Sequence, residues 1–132
     1  MPTPQRGRIV VVRASDPQGE KPKVRPFVIV TATDEIKPAK PFVGVAITGT
    51  FRKPVPDDCV QLPSRPDGHP QTKLNKEAVA MCSWARPITH EDIIDYKGMV
   101  PPGHMARILK IVDRLDKEQR GESSETAEGP GN

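Results

Sequence analysis

A chain of 132 residues makes one domain and has no room for a second core. Sixteen prolines, against a usual share of about 5%, disfavour long helices and favour short strands and extended loops. No apolar run approaches the ~20 residues that span a bilayer, and no signal-peptide core follows residues 1–6, so the chain reads as cytoplasmic. The net charge of +3 is unevenly spread: residues 1–115 hold eighteen Lys/Arg against twelve Asp/Glu, and residues 116–132 hold two against five. The body is therefore basic, which suits either a polyanion partner or an ordinary solvated surface.

Residues 1–6 read as a loose arm. Arg8-Ile9-Val10-Val11-Val12-Arg13-Ala14 predicts a first strand, and its unbroken apolar middle suggests burial on both faces, as in a small barrel. A loop carrying Pro17, Gly19 and Pro22 follows. Residues 25–31 predict a second strand; Pro26 lacks an N–H, so it belongs at the strand's start or edge, and it holds Arg25 extended. After a hairpin-length loop over 33–41, residues 42–51 predict a third strand in which Gly44 marks a bulge or a close contact.

Residues 59–62 predict a short fourth strand, residues 63–76 a long exposed loop with three prolines and a glycine, and residues 78–88 a fifth strand. Within the loop His69 reads as exposed and idle. Thr89-His90-Glu91-Asp92 has capping-box spacing and predicts a helix of one or two turns through Ile93 and Ile94, stopped by Gly98. A longer helix starts at Pro102, where Met105, Ile108, Leu109, Val112 and Leu115 fall on one face that covers the barrel or a second subunit. From residue 117 onward no large apolar residue remains to offset the entropy of ordering. The expected organisation is a domain over 1–116 and a disordered acidic tail over 117–132. Five short strands and a late helix without β-α-β alternation predict a mainly β, antiparallel fold, for which a small SH3-like barrel with a C-terminal helix is the economical choice.

Cys59 and Cys82 fit no zinc spacing, and His69, His90 and His104 do not cluster with them, so no metal or cofactor is expected. No nucleophile elbow, phosphate loop or zinc-protease motif is present. Asp57-Asp58 reads as a turn, since adjacent strand residues point to opposite faces.

One reaction needs little from a protein. RNA carries its own nucleophile, the 2′-hydroxyl beside each phosphate, and in-line attack expels the 5′ oxygen and leaves a 2′,3′-cyclic phosphate. The catalyst must align the groups and stabilise charge on phosphorus. An Arg fork matches two phosphate oxygens, and a Thr hydroxyl bonds another position. Arg25 and Thr48 suit those tasks if their strands are neighbours. On spacing alone the plainer reading prevails: Arg25 is a surface Arg before a strand proline, and Thr48 a residue chosen for β-propensity.

Val24-Arg25-Pro26-Phe27-Val28-Ile29-Val30 followed by Val45-Ala46-Ile47-Thr48 resembles the Arg-Pro strand and Thr-ending strand of the MazF/PemK-like toxins. Gly7-Arg8-Ile9-Val10 looks like that family's opening strand, residues 72–79 like its Leu-Lys segment, Cys82-Ser83-Trp84 like its Cys-x-Trp word, and Pro101-Pro102 like the start of its last helix. The similarity spans about residues 7–115. It implies a metal-independent endoribonuclease toxin, a homodimer of SH3-like barrels that cuts single-stranded RNA and is neutralised by a cognate antitoxin. Arg25 and Thr48 would be the catalytic pair. Two words depart from the family: Arg8 stands where an acid is usual, and the loop reads Gly19-Glu20-Lys21-Pro22-Lys23 without the family's Ser.

Lys21 and Lys23 beside the candidate site, with Arg52 and Lys53 after the Thr48 strand, could track a phosphate backbone or be plain solvated loops. Glu20 is a candidate base or orienting group, and Phe51 could reach a groove. Phe27 and Phe42 are expected in the core, and Trp84 as a core or dimer anchor. Two rival readings keep the fold: a gyrase-poisoning toxin acting through the terminal helix near Leu115, and a non-catalytic family member that binds RNA or protein.

Overall fold

The protein is described here from a computed structural model covering residues 3–14 and 23–119. Six strands form one antiparallel sheet: β1 (Arg8–Ala14), β2 (Lys23–Ile29), β3 (Phe42–Thr48), β4 (Cys59–Leu62), β5 (Ala78–Ile88) and β6 (Ile93–Met99). Their order across the sheet is β4-β5-β3-β2-β1-β6, and the helix α1 (Pro102–Gln119) follows. The mainly β fold with a C-terminal helix is as the sequence predicts.

The unbroken apolar run of β1 is explained by two cores, one on each face of the sheet. Ile9 of β1 lines up with Val28 of β2, and both pack with Val45, Val60, Ala80, Met105 and Ile108 on the face that carries α1. Val10 pairs with Phe27, and these pack with Val12, Ile29, Phe42, Ala46 and Ile88 on the other face. Because side chains alternate along a strand, a run of β-branched residues can serve both cores only if both faces are covered. Each fully buried Val, Ile or Phe contributes about 1.5–3 kcal/mol on burial. The expected core places of Phe27 and Phe42 hold. Gly44 marks a close contact: a Cβ there would run into the Ile88 side chain and press on Phe27.

The predicted helix after Thr89 is a single 3-10 turn, His90–Asp92, and the following residues form the sixth strand. The capping chemistry is present, since the Thr89 N–H donates to Asp92 Oδ2 at 3.0 Å. It holds only one turn, because β1 offers a free edge and Ile93 and Tyr96 take it, opposite Val12 and Val10. Tertiary pairing overrides a local helix signal here. The second and third strands also end earlier than expected, at Ile29 and Thr48.

Gly98 is not a helix stop. Its N–H donates to the Thr72 carbonyl at 3.3 Å, and the Met99 N–H to Gln71 at 2.7 Å. The loop between β4 and β5 thus crosses from one end of the sheet order and bonds to β6 at the other, so a strap, not a strand pair, links the edges. A Cβ on Gly98 would overlap the Gln71 carbonyl, which is why glycine stands there.

His69 is not idle. Its Nδ1 accepts the N–H groups of Gln71 (3.1 Å) and Thr72 (3.3 Å). Thr72, wholly buried, donates its hydroxyl to Pro63 O at 2.8 Å and accepts from Leu74 N at 3.1 Å. A loop expected to be exposed is therefore knotted around one His and one buried Thr.

The apolar stripe of α1 faces the sheet, with Met105 and Ile108 buried and Leu109, Val112 and Leu115 packed at the margin. Beyond Ile108 a cavity of about 620 Å³ opens between the helix and the sheet, lined by Val30, Val43, Leu109, Val112 and Leu115 among others. The helix continues through Lys117–Gln119, past the tail boundary expected at residue 117; residues 120–132 lie outside the described residues. Among the described residues no helix is long and apolar enough to cross a membrane.

Candidate active site

The β2–β3 register pairs Phe27 with Ala46, Val28 with Val45 and Ile29 with Gly44. Carried two residues further, the same register sets Arg25 across from Thr48. Arg25 lies opposite Val12 of β1, Val12 opposite Ile93 of β6, and Thr48 opposite Val79 of β5. With the β2–β3 register continued in this way, one rung would read Ile93, Val12, Arg25, Thr48, Val79, Gln61. In it Arg25 and Thr48 fall between Val12 and Val79, which are 1% and 0% exposed. Residues in one rung share a face, here the face of Phe27 and Ala46 away from α1.

Arg25 is half-buried. Its Nε is buried with no hydrogen-bond partner, and among the described residues no carboxylate lies within ion-pair distance of it. Its Cζ sits 4.8 Å from the centroid of the Trp84 ring, inside the range of a cation–π contact. Trp84 in turn meets Phe27 edge-on, centroids 6.4 Å apart at 73°. An Arg held on a ring keeps its charge and most of its donors available to an anion.

The Thr48 hydroxyl is engaged locally: Oγ1 accepts the Thr50 N–H at 3.1 Å and lies 3.4 Å from the Thr50 carbonyl. The long donor contact leaves the hydroxyl proton nearly free to turn toward a ligand. The chain then runs past half-buried Phe51 and exposed Arg52 to Lys53, all leaving the end of β3 where Arg25 lies. Lys53 Nζ is paired with Glu77 at 3.1 Å, both well exposed. Such a pair contributes about 0–1 kcal/mol, so a phosphate could displace the carboxylate. Glu20 and Lys21, and the side chain of Lys23, lie outside the described residues.

The cysteines stand apart from this rung. Cys59 lies opposite Met81, and both thiols are buried and unpaired by disulfide. Burial, then the Asp58 charge and its hydrogen bond, pushes the Cys59 thiol up to about 11. Burial foremost, aided by Cys59 and Asp58 against an opposing Arg114, pushes Cys82 up to about 12. Neither is a ready nucleophile near neutral pH. Asp57-Asp58 is a turn, with Cys59 N bonded to Pro56 O at 3.0 Å.

The feature that sequence reading missed is where Trp84 goes. The only signal for it was its place in the Cys-x-Trp word; nothing in spacing tied it to Arg25, sixty residues earlier.

The six strands do not close into the expected barrel, and an Arg and a Thr at the ends of paired central strands make a candidate phosphate-binding site on an antiparallel β domain. Residues 5–115 match the family described as PemK-like, MazF-like toxin of type II toxin-antitoxin system, and the chain belongs to that family. Among solved structures, it is similar to an endoribonuclease in complex with its cognate antitoxin from Mycobacterial species. That match has 19% identity and a TM-score of 0.65, covering 85% of this chain and 93% of the other. MazF from Deinococcus radiodurans matches at 15% identity and a TM-score of 0.65, covering 87% and 97%. The Mycobacterium tuberculosis toxin MazF-mt6 matches at 16% identity and a TM-score of 0.58, covering 82% and 96%. At these identities the likeness shows the fold. No curated protein matches the sequence.

Proposed function

We propose that the protein is a metal-independent endoribonuclease toxin that cuts single-stranded RNA by attack of the 2′-hydroxyl, leaving a 2′,3′-cyclic phosphate. What supports this reading is the pairing of β2 with β3: continued two residues past Phe27 and Ala46, the register would face Arg25 with Thr48, next to the buried Val12 and Val79. Family membership and structural relatives named as endoribonucleases support it.

In this mechanism the Arg25 fork binds the scissile phosphate and stabilises charge as the phosphorane forms. The apolar flanks lower the local dielectric, which strengthens that interaction. The Thr48 hydroxyl leaves its contact with the Thr50 carbonyl and holds a phosphate oxygen or the attacking 2′-hydroxyl in line. Arg25 carries the charge and does not need to surrender a proton, which its basicity disfavours. Phe51, Arg52 and Lys53 extend the surface along the RNA, and Glu20, Lys21 and Lys23 are further candidate RNA contacts.

The protein acts as a homodimer, and Leu109, Val112 and Leu115, only partly buried at the margin of α1, are apolar side chains that a second subunit would cover. A cognate antitoxin neutralises it; a structural relative is an endoribonuclease in complex with its cognate antitoxin, and the excess of Lys/Arg over residues 1–115 suits an acidic segment of such a partner. Cytoplasmic RNA is the target.

The test is cleavage of a long single-stranded RNA in EDTA by the full chain, beside Arg25→Ala and Thr48→Ala. Cuts ending in cyclic phosphate, lost in both variants, are expected. Folded wild type that makes no cut, or variants that cut as well as it does, would overturn the reading.

A further inference from the structure

We infer that Trp84 is the residue that orients Arg25, and that a bulge in β5 exists to put it there. The inference rests on the proposed role of Arg25 toward phosphate.

The ladder between β3 and β5 is regular from Thr48↔Val79 to Ala46↔Met81, then jumps to Val45↔Ala85. Cys82, Ser83 and Trp84 therefore have no partner in β3. Bulges bend a strand and re-aim a side chain. This one is fastened on its other side, where the Cys82 N–H donates to the Asp58 carbonyl at 2.9 Å, continuing the β4 ladder one step past Cys59↔Met81. Cys82 turns into the core beneath α1, Ser83 is exposed, and Trp84 is delivered to the opposite face. There its ring packs edge-on to Phe27 and presents its face to the Arg25 guanidinium.

Arg25 needs such a contact. Its Nε is buried without a partner, and no carboxylate anchors the fork among the described residues. A carboxylate would hold the guanidinium as firmly, but it would also occupy the donors and cancel the charge that a phosphate must meet. An aromatic face does neither. It restricts the plane of the fork and leaves the donor edge open. Pro26 fixes the backbone on one side of Arg25, and Trp84 fixes the far end of its side chain. Holding the fork before substrate arrives lowers the reorganisation required in the transition state. The effect belongs in kcat more than in KM.

The experiment compares the full chain with Trp84→Phe and Trp84→Leu in two readouts. The first is the Arg25 Nε–H signal by NMR, which a ring face shifts upfield whatever the protein does to RNA. The second is steady-state RNA cleavage. Wild type and Trp84→Phe should share the shifted signal, and Trp84→Leu should lose it. For Trp84→Leu, kcat should fall about tenfold, the middle of what a cation–π contact supplies, with KM within about twofold. Trp84→Phe should stay within about threefold of wild type. If Trp84→Leu keeps the signal and the rate, or if both variants lose rate only in step with melting temperature, the inference is wrong. If wild type makes no cut but the Arg25 signal still depends on the ring, the nuclease reading fails and the orienting role stands. Should Trp84→Leu not fold, Arg25→Met serves: Trp84 is the chain's one tryptophan, so its emission must change when the cation is removed, and unchanged emission overturns the contact.

Discussion

The face of the sheet under α1 and the face that carries Trp84 are lined by the same kinds of residue, yet they are covered differently. Under the helix, Ile9, Val28, Val45, Ile47, Val60 and Ala80 run out beneath Met105 and Ile108 without a charged side chain in the cluster. On the other face the packing of Val10, Val12, Phe27 and Ala46 reaches a rung where Arg25 and Thr48 replace the next apolar pair. The same pleat supplies both arrangements. What differs is the neighbour: a helix that covers one face, and a bulge that brings an aromatic edge to the other. A rigid, doubly packed strand holds Arg25 at low entropic cost, and the proposed chemistry needs only two polar residues at the strand ends.

That contrast can be broken first at Arg25. Arg25→Ala removes the only charge on the rung, and cleavage should fall about 10²–10³-fold while melting temperature moves by a few degrees at most. A parallel fall in both would mean that Arg25 is structural. Next, Gly98→Ala attacks the strap alone. Its Cβ would overlap the Gln71 carbonyl, so unfolding free energy should drop by about 3 kcal/mol in urea titration. Residual activity at low temperature should persist, because the strap touches neither Arg25 nor Thr48.

Thr72→Val sharpens the same point more gently. It removes a buried hydroxyl that serves Pro63 and Leu74, and should cost about 2 kcal/mol. His69→Ala should cost about 1 kcal/mol, read by the same titration. The smallest effect is at high pH. Both thiols have folded values raised above the ordinary 9.0, to about 11 and about 12, so the folded state holds protons that the unfolded chain releases. Their contribution is complete below pH 9 and is lost as pH rises through 11 and 12. A Cys59→Ala/Cys82→Ala double variant should show a flatter fall of melting temperature across that window.

Much of this was legible in the chain. The β-branched run of β1 and the short apolar stretches of β4 and β5 marked those strands at their observed limits, and the spacing of Met105, Ile108, Leu109, Val112 and Leu115 gave the helix and its buried stripe. The apolar runs of β2 and β3 put Arg25 and Thr48 at their ends, but only the family resemblance tied the two residues together. What was not legible depends on contacts far apart in sequence. Thr89 to Asp92 carries a real helix-start signal, and only the free edge of β1 turns Ile93–Met99 into a strand. Gly98 looks like any helix terminator until Gln71 is seen against it. His69 looks idle because two backbone N–H groups it accepts belong to a turn with no side-chain signature. Trp84 reads as core because a bulge cannot be counted from one strand alone; it appears only when β3 is laid beside β5.

The measurement that tests the two-face account most directly pairs melting temperature with RNA cleavage for Arg25→Ala and Ile108→Ala. Ile108 is wholly buried under the helix, and its truncation should cost about 2–5 kcal/mol. The account predicts a crossed result: Arg25→Ala keeps its melting temperature and loses cleavage, while Ile108→Ala melts well below wild type and, where still folded, cuts at close to the wild-type kcat. If both variants lose stability and cleavage in the same proportion, the faces are not divided between scaffold and chemistry, and the account is contradicted.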